Sequence, residues 1–99
     1  MEVLNKEQME KIQEVITNSY IDNDKPLSLQ DVIKLLPDRM LNEFGKVFYL
    51  HIDRRSVSYV AYENNPLMKH ELKIFVDTNI LNGAYNMLLW VVEKGMGYC

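Results

Sequence analysis

Cysteine is almost missing from this chain: Cys99 is the only one, and it is the last residue. A disulfide framework and a cysteine-based zinc site are therefore both excluded within one chain. Long apolar runs are missing too. The longest, "MLLWVV" at 87–92, is far short of the ~20 residues that a membrane span requires. The first residues, "MEVLNKEQ", carry neither a basic n-region nor an apolar run, so no signal peptide is read there and the cytoplasm is the expected compartment. No internal repeat or low-complexity segment occurs. G-x-S-x-G, P-loop, dinucleotide, H-E-x-x-H and EF-hand patterns are all lacking, so no cofactor is expected and no catalytic residue is assigned.

A stripe of basic residues is also lacking. Eleven Lys and Arg stand against fourteen Asp and Glu, for a net charge of −3, which disfavours broad electrostatic binding to nucleic acid. The excess is uneven: residues 1–33 hold three basic and seven acidic side chains, whereas residues 34–73 hold seven basic and five acidic. What is present is ordinary for a globular protein, with 47% hydrophobic and 25% charged residues. Residues 1–99 suffice for one domain with one modest core.

The stretch "LNKEQMEKIQEVITNSY" predicts a first helix. Asn5 is the cap, Gln8 completes a capping box, and Leu4 and Met9 occupy the positions of a hydrophobic staple. Met9, Ile12, Val15 and Ile16 form a stripe at helical spacing, and the helix is expected to end near Tyr20. "PLSLQDVIKLLP" repeats this entry logic with Ser28 as cap, Asp31 at the third position and Leu27 with Val32 as staple. Pro37 should end that helix, because the residue before a proline is pushed out of the α region. "PDRMLNEFG" reads as a further helical turn, broken at Gly45.

From Lys46 the period changes from 3.6 to 2. "KVFYLHID" sets Phe48, Leu50 and Ile52 on one face and Val47, Tyr49 and His51 on the other. "DRRS" reads as a hairpin turn into "SVSYVAYE", and the loop "NNPLMKH" leads to "HELKIFVD". In that third strand Leu72, Ile74 and Val76 are expected inward and Lys73 and Phe75 outward. Asp77, Thr78 or Asn79 can cap a last helix, which Gly95 should end, with Met96 touching Val91 as in a Schellman motif. The expected fold is α+β: a two-layer ααβββα domain in which helices cover one face of a three-stranded antiparallel meander.

In the last helix Ile80, Ala84, Met87, Leu88 and Val91 share one broad face, while Asn82, Asn86 and Glu93 define the other. Trp90 lies beside Asn86, with Leu89 at the edge of the same face. Either a neighbouring helix or the tail "MGYC" covers Trp90, or Trp90 anchors a contact with a second chain. The sheet raises the same question. With helices on the Phe48 face, Val47, Tyr49, Phe75 and either the Tyr59 or the Tyr62 set would make an exposed apolar patch in need of cover.

Other candidate sites are thinner. His51 and Asp53 form an H-x-D pair, but two ligands are not a metal site, and His70 with Glu71 reads as part of an unrelated loop. Cys99 has no evident base beside it. Arg54 and Arg55 at the hairpin tip suit phosphate or carboxylate contacts, although charged turns are commonly just solvated. With Tyr49, Tyr59, Tyr62 and Phe75 they could serve single-stranded nucleic acid; cross-strand aromatic pairing is the simpler role.

The run from "LLPDRM" through "VFYLHID…SVSYVAY" to "AYNMLLWVVEKGMG" resembles small uncharacterised proteins encoded by phages and mobile elements of bacteria, over roughly residues 35–97. The matching residues are Ala84, Met87, Leu88, Trp90, Glu93 and Gly95. The resemblance implies no established activity, and it implies that Trp90 is a recurrent packing or assembly residue. The expectation is thus a non-enzymatic interaction protein that binds a protein partner or itself as a homodimer. An accessory role on single-stranded nucleic acid is the alternative.

Overall fold

The computed structural model describes residues 2–16, 25–62 and 69–94. Seven elements follow in order: α1 (Lys6–Val15), α2 (Leu29–Leu35), β1 (Arg39–Leu41), β2 (Val47–Ile52), β3 (Ser56–Tyr62), β4 (Lys69–Val76) and α3 (Ile80–Lys94). The class is α+β, and the sheet is an antiparallel meander of order β1-β2-β3-β4, with four strands where the sequence suggested three.

Both N-terminal helices begin as their sequences dictate. Asn5 Oδ1 accepts from Gln8 N at 2.8 Å while Gln8 Oε1 accepts from Asn5 N at 3.0 Å, and Ser28 and Asp31 exchange the same reciprocal bonds. The staple residues Leu4 and Met9 are both buried. Helix α1 stops at Val15, short of the expected Tyr20: Ile16 is extended (φ −103°, ψ 99°), at the centre of a β-branched run, Val15-Ile16-Thr17, that disfavours continuing the helix. Residues 17–24, and Tyr20 with them, lie outside the described residues. Helix α2 ends as Pro37 requires, with Leu36 extended at ψ 137°.

The segment read as a helical turn is instead strand β1 and a tight hairpin. Asn42 Oδ1 accepts from Phe44 N at 2.9 Å and Lys46 N at 2.8 Å, and Gly45 takes a positive φ of 81°. That turn chemistry sends the chain back antiparallel, so that Met40 pairs with Phe48 and both are buried. "DRRS" turns as expected: Asp53 N donates to Ser56 O at 2.8 Å and leaves Arg54 and Arg55 exposed at the tip.

Helix α3 is capped by Asn79, whose Oδ1 accepts from Leu81 N at 3.0 Å and Asn82 N at 3.4 Å. It lies on β3 and β4, and α1 and α2 pack beside it. The core gathers Leu4, Met9 and Ile12 of the first segment, Val32 and Leu36 around α2, Met40 and Phe48, then Val57, Tyr59 and Ala61 of β3 with the inner face of α3. The molecule measures only 16 Å along its shortest axis, which fits one helical layer on one sheet. Gly95 and Met96 lie outside the described residues, and the expected Schellman ending with them. No helix among the described residues is long and apolar enough to cross a membrane.

Candidate functional site: the open face of the sheet

Strand register decides which side chains face away from the helices. Val57 is opposite Ile52 and Phe75, and Tyr59 is opposite Leu50 and Lys73, so these residues share the helix-covered face. Ser58 is opposite His51 and Ile74, and Val60 is opposite Tyr49 and Glu71, so these share the open face. Arg39 opposite Tyr49 and Leu41 opposite Val47 extend that face across β1.

Phe75 therefore lies on the opposite side from the one its alternation suggested. The register shifts between Tyr59 and Val60, where β4 places an extra residue, Leu72, in the ladder. Leu72 and Phe75 both pack against the core, while Ile74 and Val76 are turned out. An uninterrupted period of 2 from Leu72 cannot give that pattern. Tyr59 is likewise interior: it is fully buried, and its Oη donates to Pro37 O at 2.8 Å. Burial and the nearby Asp38 carboxylate hold its phenol well above the ordinary range.

The aromatic residues are thus not brought together. Of Tyr49, Tyr59 and Phe75, only Tyr49 is on the open face, and Phe75 carries the Lys73 ammonium 5.0 Å from its ring centroid on the covered side. Arg54 and Arg55 sit at the end of the sheet, where the Arg55 carbonyl accepts from Asp77 N at 2.8 Å. A stacking platform built from this set is not formed.

His51 and Asp53 are exposed, and no group of three or more His, Cys, Asp or Glu among the described residues could hold a metal ion. His70 and Glu71 belong to β4, not to a loop. His70 opposes Ala61, so register places it on the covered face while His51 is on the open one. Cys99 lies outside the described residues.

Trp90 is half-buried and packs against the core, with Leu89 beside it at similar exposure. It lines an open groove of about 740 Å³ together with Leu41, Glu43, Leu72, Lys73 and Lys94. The polar side of α3 is not simply solvated either. Asn82 Oδ1 accepts from Gln8 Nε2 at 3.0 Å and Asn82 Nδ2 donates to Asp77 Oδ2 at 2.9 Å, tying α3 to α1 and to the end of β4.

Displaced titrations belong to architecture. Asp31 is held low by the Ser28 backbone and hydroxyl, and Asp77 by the Asn79 backbone and the Asn82 amide; burial raises Tyr85. These are caps and packing, not a poised acid and base.

The open face itself has relief. Tyr49 (56% exposed) and Val76 (73%) stand up from it, with Leu41 and Ile74 partly so. Val60 (3%) and Ser58 (1%) at its centre are buried, although Val60 is outside the helix-side core. Sequence reasoning placed Tyr49 and Val47 here, but missed Leu41, which stood in a supposed helix, and Ile74 and Val76, which the bulge turned outward. No family model, curated protein or solved structure matches the chain.

Proposed function

We propose that this chain is a small non-enzymatic interaction domain of the phage and mobile-element kind, which works by binding a protein through the open face of its sheet. The observation that carries this reading is the one-sided packing: the helices lie on one face, and the other presents Tyr49, Leu41, Ile74 and Val76 to solvent. These four side chains stand on three of the four strands of that face, and exposed apolar surface there gains from being covered. The origin rests on the sequence resemblance alone.

Photo-crosslinking of the full chain in cells tests it. A photoreactive phenylalanine analogue at position 49 should give a discrete adduct that Ile74→Asp abolishes, while the same probe at Glu10, exposed on α1, should give none. No adduct from position 49, or the same products from both positions, would remove the reading.

A further inference from the structure

Self-association deepens, and rests on, the reading of the open face as the working surface. One cross-strand row runs Arg39, Tyr49, Val60, Glu71 from edge to edge of the sheet. Its ends are opposite in charge, and of its two central residues Tyr49 is 56% exposed while Val60 is buried at 3%. We propose that the occupant of this face is a second copy of the chain, related by a two-fold axis that runs parallel to the strands between β2 and β3.

That operation exchanges β1 with β4 and β2 with β3. Each Tyr49 then lies over the partner's Val60, each Arg39 meets the partner's Glu71, and His51 lies over the partner's Ser58, which is only 1% exposed. Charge is thus satisfied by one symmetry element, as an isologous contact demands. A two-fold axis across the strands would instead set Arg39 against Arg39 and Glu71 against Glu71, a costly like-charge pairing. Glu71 already pairs weakly with Lys69, whose Nζ stands 4.0 Å away at the outer limit of an ion pair, and the partner's guanidinium would share or displace that contact.

The β4 edge is a poorer site for a second copy. Lys69, Glu71 and Lys73 lie along it, and the bulge at Leu72 interrupts its ladder, both devices that discourage strand addition. Four strands spaced ~4.8 Å give a face only about 14 Å across, so the interface is at the small end and the dimer should dissociate on dilution.

The test is a concentration series of the full chain by light scattering, with circular dichroism to confirm the fold. Arg39 and Glu71 are both exposed, so reversal should leave the monomer intact. Arg39→Glu alone and Glu71→Arg alone are each expected to raise the dissociation constant at least tenfold, and the double reversal to bring it back within about threefold of the wild type. Tyr49→Ser should weaken the dimer without unfolding it. A wild type that stays monomeric up to ~1 mM, single reversals without effect, or a double reversal that fails to restore association would each overturn the inference. A monomer whose position 49 crosslinks to a protein of another mass overturns self-association and keeps the open-face reading; a monomer giving no adduct removes both.

Discussion

The Tyr59 hydroxyl donates a 2.8 Å hydrogen bond to the Pro37 carbonyl and so joins the middle of β3 to the link between α2 and β1. Tyr59 has no exposed surface, and the bond falls where α2 has already ended. It fixes the direction in which β1 leaves the helix layer.

Tyr59→Phe should therefore cost about 1 kcal/mol in urea denaturation, the usual net value of one such bond. Alkaline behaviour gives an independent reading. The folded phenol titrates above the unfolded one, so its contribution is intact below about pH 10 and is lost as pH rises beyond it. The wild type should lose stability more steeply than Tyr59→Phe above that point.

Gly45 and Gly83 should respond oppositely to alanine. Gly45 sits at φ +81°, where a Cβ meets nothing but strains the backbone, so Gly45→Ala should cost about 1 kcal/mol and Gly45→Asn less. Gly83 is inside α3, and a Cβ there would meet Asp77 Cβ at 3.7 Å and Val57 Cγ2 at 3.8 Å, ordinary contact distances. Gly83→Ala should stabilise the fold by up to about 1 kcal/mol. Thermal melts of the two variants decide.

The 3.0 Å bond from Gln8 Nε2 to Asn82 Oδ1 is a side-chain tie between α1 and α3. A double-mutant cycle with Gln8→Ala and Asn82→Ala should return a coupling of about 1 kcal/mol. Additive losses would mean that solvent replaces the bond without cost.

Trp90→Ala should lower stability by about 2 kcal/mol, less than the ~3–5 kcal/mol of a fully buried aromatic, because half of the problem is solved by the core and half left to the groove. Its dissociation constant in the light-scattering series should match the wild type. A folded Trp90→Ala chain that no longer associates would move the interface from the sheet to α3.

Local rules account for what the sequence made legible. Both capping boxes, the stop at Pro37, the Arg54–Arg55 turn and the phase of β2 depend on neighbours within four residues, and each is as expected. The misreadings arise where longer-range pairing decides. Strand β1 has three residues, too few to show a period, and becomes a strand only because Asn42 and Gly45 fold it onto β2. Phe75 is turned inward by a bulge whose position depends on the pairing of β3 with β4. Of the open face, Tyr49 and Val47 were readable. Ile74, Val76 and Leu41 were not, and the charge relation between Arg39 and Glu71 exists only once four strands lie in order.

Helix α3 comes after every strand, yet α1 and α2 find their main neighbour in it. The meander pairs each strand with the next along the chain, so its hairpins can close early and locally. The segments that carry the first two helices meet at the Val3–Ser28 bridge and the bond from Leu4 N to Leu27 O, but the helix against which both pack is α3, as the Gln8–Asn82 bond illustrates for α1. Helix α3 thus acts as the keystone, and a chain cut before it would keep its turns but lose the floor on which its first half stands.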